Sequence, residues 1–88
     1  MITVENLQDT VALMESSDYQ DRLRAEYWQT KIRYERLKRY NNTIEAHLGT
    51  EAEPPHVCSL NLLRRQESAM ARYLQLLEQR LAREQIIL

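Results

Sequence analysis

Residues 26 to 40 read EYWQTKIRYERLKRY, a stretch in which four aromatic rings (Tyr27, Trp28, Tyr34, Tyr40) alternate with five bases (Lys31, Arg33, Arg36, Lys38, Arg39). Rings stack on nucleobases and cations hold phosphates, so the mixture has the composition of a nucleotide site. A helix whose apolar seam and charged face are read in turn has the same composition. Spacing separates the two readings. Tyr27 and Tyr34 are seven residues apart and belong to a seam, whereas Trp28 is one position off it and is expected at an interface between protomers. The five bases form by default a solvated face whose local surplus could hold a small anion. Tyr19 differs from the other rings. It stands among Asp18, Ser17 and Gln20 at the start of the same helix, where a ring can project beside a helix N-terminus.

Other chemistry finds less support. His47, His56 and Cys58 lack both the spacing and the fourth ligand of a structural zinc site, so Cys58 reads as a loop residue closing against the hairpin. With one cysteine there is no intramolecular disulfide. A catalytic role for Cys58 would need a base and an oxyanion hole that nothing nearby supplies. There is no Gly-rich phosphate loop, nucleophile elbow, HExxH or paired-carboxylate pattern. A binding protein with no metal, cofactor or catalytic residue is expected.

Net charge is −1 and the pI about 6.1, which argues against binding polymeric nucleic acid. The charge is nevertheless segregated. Residues 1 to 21 hold five acids and no base, while residues 22 to 39 hold seven bases and two acids. Apolar runs are too short for a membrane span. The acidic amphipathic stretch after Met1 is unlike a secretory signal, so a reducing cytoplasm is expected.

The elements that must position these residues are helical. One Gly, two Pro and no Phe, with much Leu, Arg, Glu and Gln, predict an all-α chain. Leu23, Tyr27, Thr30, Tyr34, Leu37, Asn41, Ile44 and Leu48 step by four and three along a long helix over 18–48, capped by Ser17 and ended by Gly49. Leu60, Leu63, Glu67, Met70, Leu74, Leu77, Leu81, Glu84 and Leu88 define a second over 59–88, capped by Ser59. The loop over 49–58, with Pro54 and Pro55, makes the pair an antiparallel hairpin. Val4, Leu7, Val11 and Met14 mark a short helix over 1–16, capped by Thr3, with Ser16 and Ser17 as the kink that follows. The whole is read as a single helical domain, residues 1–88. A second stripe on helix two (Leu62, Ala69, Tyr73, Leu76) and another on helix one (Ala25, Trp28, Ile32) exceed what one partner helix covers. Eighty-eight residues also bury little apolar surface, so a homo-oligomer is expected.

Two longer stretches carry a resemblance. DYQDRLRAEYWQTKIRYERLKRY contains Tyr-Gln-x-Arg, a Glu-Tyr pair, a Lys one turn on and Tyr-Glu-x-Leu; VCSLNLLRRQESAMARYLQLLEQRLAREQIIL contains a Cys before the helix, Leu-Leu-x-x-Gln, Ala-Met-x-x-Tyr-Leu, Leu-Glu-x-Arg and Ile-x-Leu. In this order they resemble the phage anti-CBASS cyclic-oligonucleotide sponges, a family related in fold to the Thoeris anti-defence sponges. The resemblance covers residues 18 to 88. It departs at Cys58-Ser59, where many relatives have Cys-Pro, and leaves residues 1 to 17 unmatched.

The resemblance implies a hexamer of helical hairpins that sequesters cyclic di- and trinucleotide messengers of bacterial immunity, without cleaving them, in the cytoplasm of the infected host. By the same resemblance Tyr19 stacks on a base of a cyclic dinucleotide and Lys31 or Arg33 reaches its phosphates. Arg64, Arg65 and Gln66 match the site for cyclic trinucleotides. The alternative from the residues alone is a helical-hairpin adaptor that oligomerises and binds a protein partner, with every ring used in packing. An enzyme that hydrolyses the same messengers ranks third.

Overall fold

The computed structural model describes residues 4–88. A single 3-10 turn, Leu7–Thr10, runs into α1, Val11–Met14; α2 spans Tyr19–Ala46 and α3 spans Leu60–Arg83. The described residues contain no strand. The two long helices pack against each other, with the start of α2 beside the last turns of α3: Tyr19 meets Arg80 and Glu84, and Asn41 meets Glu67. The hairpin is therefore antiparallel.

Its core lies between the first turns of α2 and the second half of α3. Leu23 and Tyr27 from α2 close on Leu74, Leu77 and Leu81 of α3 and on Ile86 beyond it, with Trp28 and Tyr34 packed against the group. Trp28 packs against this core from its position off the seam, set edge-on to Tyr27 at 5.1 Å and 80°, and stays only partly buried. Ala25 departs from expectation. It is buried, and the element packed on α2 away from α3 is the N-terminal segment: Gln29, one turn further along, donates to Thr10 Oγ1 at 2.9 Å and to Met14 Sδ at 3.4 Å.

The caps follow local chemistry. Ser59 accepts from the Leu62 amide at 3.1 Å, as expected of an N-cap. At α2 the cap is Asp18, accepting from Gln20 N at 2.9 Å, not Ser17. A carboxylate one residue later meets the same free amides and adds a charge favourable to the helix dipole. The kink is organised by Ser16, whose hydroxyl donates to Asp21 and accepts from the Asp18 amide while its carbonyl accepts from Arg22. The cap expected at Thr3 lies outside the described residues. Asn6 caps the helical segment that begins at Leu7, in a capping box with Asp9.

Three seam expectations end early or shift. The segment before the kink buries Thr10 and Leu13, while Met14 is exposed. Thr10 fits an apolar position because its hydroxyl donates to the Leu7 carbonyl at 2.7 Å and accepts from Gln29, leaving no unpaired polar group. At the far end of α2, Leu48 lies beyond the last turn and is exposed; Gly49 follows with φ 75, the left-handed conformation that glycine adopts freely. Finally, α3 stops at Arg83, not near Leu88, and Glu84 and Leu88 are exposed. Gln85 adopts φ 58, its amide donates to Ala82 O at 3.2 Å, and the Ile86 amide donates to Leu81 O at 2.9 Å. That pair of bonds is a Schellman cap, and it turns Ile86 into the core against Leu81.

Candidate ligand site at the helix ends

Tyr19 is the first residue of α2 and is 45% exposed. Antiparallel pairing brings it to the last turns of α3, where Arg80 Nη2 donates to its hydroxyl and the hydroxyl donates to Glu84 Oε2 at 3.4 Å. Arg80 Nε also faces Glu84 Oε2 at 3.5 Å. The negative character of the Tyr19 oxygen, and then Glu84 and Glu26, hold the Arg80 guanidinium above its ordinary value. Beside this triad an open, shallow pocket of about 530 Å³ lies on the α3 surface, lined by Leu76, Gln79, Arg80 and Arg83, mainly through their apolar atoms. The sequence reading placed Tyr19 correctly at a helix start but missed Arg80. The signal was available: in an antiparallel hairpin the first turn of one helix faces the last turn of the other.

The other candidates fall in different places. Lys31 is half-buried, its Nζ 5.6 Å from the centre of the Trp28 ring and 5.8 Å from that of Tyr27, with the Tyr27 hydroxyl at 3.5 Å. Its charge is already held by two rings. Arg33 is exposed and pairs with no described residue. The structure therefore does not bring Lys31 or Arg33 to Tyr19 within one chain.

Arg64, Arg65 and Gln66 share the first half of α3, but only Arg64 is engaged. Its guanidinium donates to Glu67 Oε1 at 2.7 Å, Glu45 Oε2 at 2.6 Å and Asn42 Oδ1 at 2.9 Å, clamping the far end of the hairpin. Glu67 also accepts from Asn41 Nδ2 at 3.0 Å. The Asn41 amide and then Arg64 lower the Glu67 pKa against the effect of its burial. Arg65 and Gln66 are exposed. The free donors of this trio are theirs.

The loop has its own network. His56 Nδ1 lies 2.6 Å from the Cys58 carbonyl and Nε2 lies 3.2 Å from Glu53, whose other oxygen accepts from the Gly49 amide at 2.9 Å. Tyr40 donates to the Pro55 carbonyl. His56 is thereby committed to loop geometry, while Cys58 is a free, exposed thiol. Among the described residues no three His, Cys, Asp or Glu side chains are placed to hold a metal ion, and no helix is long and apolar enough to cross a membrane.

On α3 the stripe Leu62, Tyr73 and Leu76 stays 48%, 41% and 45% exposed, with Ala69 exposed between them. It runs into the cavity at Leu76. The hairpin thus has one covered seam and one uncovered apolar stripe that leads to the Tyr19 end.

No curated protein and no solved structure matches the chain. A family model described as Sequestin does, over residues 17–83, which take in α2, the loop and α3. With more than half of its length matched, Tyr19, Arg80 and Arg83 included, the chain belongs to the Sequestin family.

Proposed function

We propose that the protein binds and sequesters cyclic oligonucleotide immune messengers, without cleaving them, as a phage anti-defence protein that keeps CBASS effectors from being activated. The supporting observation is an exposed Tyr19 beside an arginine-lined cavity in a chain that the Sequestin family model matches across both long helices. The family's name fits a sequestering role. The resemblance to the anti-CBASS sponges extends that role to cyclic dinucleotides, cyclic GMP–AMP among them, and to cyclic trinucleotides.

The energetics are sufficient. Stacking on an aromatic side chain contributes about 1–3 kcal/mol per base. Each hydrogen bond to a charged group contributes about 1.5–3 kcal/mol. A cyclic dinucleotide has two bases and two phosphates, and a twofold pair of chains would present each ring and cation twice. Against an association cost of roughly 4–15 kcal/mol, a preformed site could leave a nanomolar binder, near about −12 kcal/mol. A sponge needs that affinity and abundance, not turnover.

The exposed stripe of Leu62, Ala69, Tyr73 and Leu76 supports self-association, which we place at a hexamer by the same resemblance. It also favours a second reading, the hairpin adaptor, in which the stripe meets another protein and no nucleotide binds. Within the proposal, Arg33 is a phosphate contact available without breaking an existing interaction, whereas Lys31 would first leave its rings. Arg65 and Gln66, rather than the clamped Arg64, carry the free donors for a cyclic trinucleotide.

Tyr19→Ala tests the site. Titrating a cyclic dinucleotide into this variant should give no measurable heat, while light scattering reports the same assembly as the unaltered chain. Normal binding by Tyr19→Ala would remove the ring from the site.

A further inference from the structure

Tyr19 and Lys31 are twelve residues apart on α2, roughly 18 Å along the axis at 1.5 Å per residue. A nucleotide stacked on Tyr19 is beyond the reach of its own chain's Lys31, which the Tyr27 and Trp28 rings already hold. Cations do stand at the ring, and they come from the other helix. Arg80 is bonded to the Tyr19 hydroxyl, and Arg83, three residues on, lines the same cavity and pairs with no described residue. A guanidinium has five donors in a fork that suits two oxygens of one phosphate. At Arg80 one donor goes to Tyr19 and another makes a long contact with Glu84, so the fork is only partly used. Leu76, on the same wall, gives an apolar surface for the face of a sugar or base.

The nearest anion in this arrangement is internal. The Glu84 carboxylate meets both the Tyr19 hydroxyl and Arg80 Nε, where a phosphate oxygen would sit if the ring carried the base and Arg80 the phosphate. Both Arg80 and Glu84 are substantially exposed, at 49% and 36%, so the pair is weakly held and can exchange one anion for another.

We propose that Arg80 and Arg83 are the phosphate-binding residues that the ring's own chain brings to the Tyr19 site, Arg33 being available only from another chain, and that Glu84 is a built-in competing anion which the phosphate displaces from Arg80. The ring is supplied by the start of α2 and the charge by the end of α3, so the site exists only when the hairpin is closed in this register. This assignment rests on the proposed binding of cyclic oligonucleotides and specifies which side chains read the phosphate.

The test is calorimetric titration of the intact chain and three variants with cyclic GMP–AMP and with cyclic di-AMP. Arg80→Gln should weaken binding by about tenfold or more and Arg83→Gln by severalfold, as expected for loss of charged hydrogen bonds. Glu84→Gln should tighten binding by about threefold or more, because the competitor loses its charge. A gain in affinity cannot arise from misfolding, so this variant keeps the test decisive even if an arginine variant folds poorly. Binding by the unaltered chain with Arg80→Gln and Glu84→Gln both within about twofold of it would overturn the assignment and leave sequestration standing. No heat from the unaltered chain with either nucleotide would overturn the assignment, and no heat with a cyclic trinucleotide as well would overturn sequestration.

Discussion

Asn41 occupies a seam position where an aliphatic side chain would pack, and it is fully enclosed. Its Nδ2 donates to Glu67, but its Oδ1 has no partner among the described residues. A buried polar group at a helix–helix seam costs stability and fixes register, because a slipped pairing takes the enclosed Asn41 amide away from Glu67. Both residues were legible as seam members by spacing; their pairing was not, since spacing alone gives no alignment between two helices. Removing one partner should therefore cost more than removing both. Asn41→Leu alone should lower the unfolding free energy measured by urea titration by about 1–3 kcal/mol, with Glu67 left with one donor fewer. Asn41→Leu with Glu67→Leu should recover part of that loss, since it also takes one acceptor from Arg64 while Glu45 and Asn42 keep the guanidinium paired. A double variant less stable than the single one would show that the pair contributes net stability instead of register.

At the scale of elements, the outcome depended on whether a residue type declares its own backbone conformation. Ser59 before an apolar run, and glycine at position 49, announce a cap and a left-handed turn. Gln85 announces neither, so the second seam was expected to continue to Leu88, when in fact the chain reverses at Gln85 and inserts Ile86. Thr10 escaped notice for a related reason: its polarity hides a buried position that two hydrogen bonds make tolerable. The left-handed conformation penalises a side chain such as glutamine. Gln85→Gly should raise stability by about 0.5–1 kcal/mol, the relief of that penalty less the greater chain entropy of glycine. An unchanged or lower denaturation midpoint would mean that Gln85 makes compensating contacts.

The loop between the long helices offers a pH test. The Cys58 carbonyl, and then the Glu53 carboxylate, raise the His56 pKa above its ordinary 6.5. The Gly49 amide, followed by His56, lowers the Glu53 pKa below its ordinary 4.5. A raised histidine stabilises the fold fully below pH 6.5 and loses that contribution as pH rises through its folded value. A lowered carboxylate stabilises above pH 4.5 and loses its contribution as pH falls through the folded value. The loop is thus best held between the two. Proton NMR should find the His56 ring titrating above 6.5, with its midpoint falling in Glu53→Gln. A midpoint at or below 6.5, unmoved by that substitution, would show that the loop network does not persist in solution.

For the whole molecule, sequence periodicity anticipated two long packed helices because alternating steps of three and four residues permit little else. It could not place the site, because the site belongs to no single helix. Tyr19 is the first residue of α2, whereas Arg80 and Arg83 belong to the last turn of α3 and line the pocket on that helix, so hairpin closure is what brings the ring beside it. The N-terminal segment, unmatched by resemblance, covers the Ala25 face of α2, which leaves the α3 stripe as the long-helix apolar stripe still open to other copies or partners. Together these features describe a small scaffold that presents a ring and two arginines at one end of a hairpin, with an uncovered apolar stripe running along α3 towards them. The most direct test of sequestration loads the protein with a cyclic dinucleotide, removes free ligand, denatures the complex by heat and quantifies what is released by chromatography. The account predicts the intact cyclic dinucleotide, recovered in fixed proportion to the protein; release of nothing, or of linear cleavage products, would contradict it.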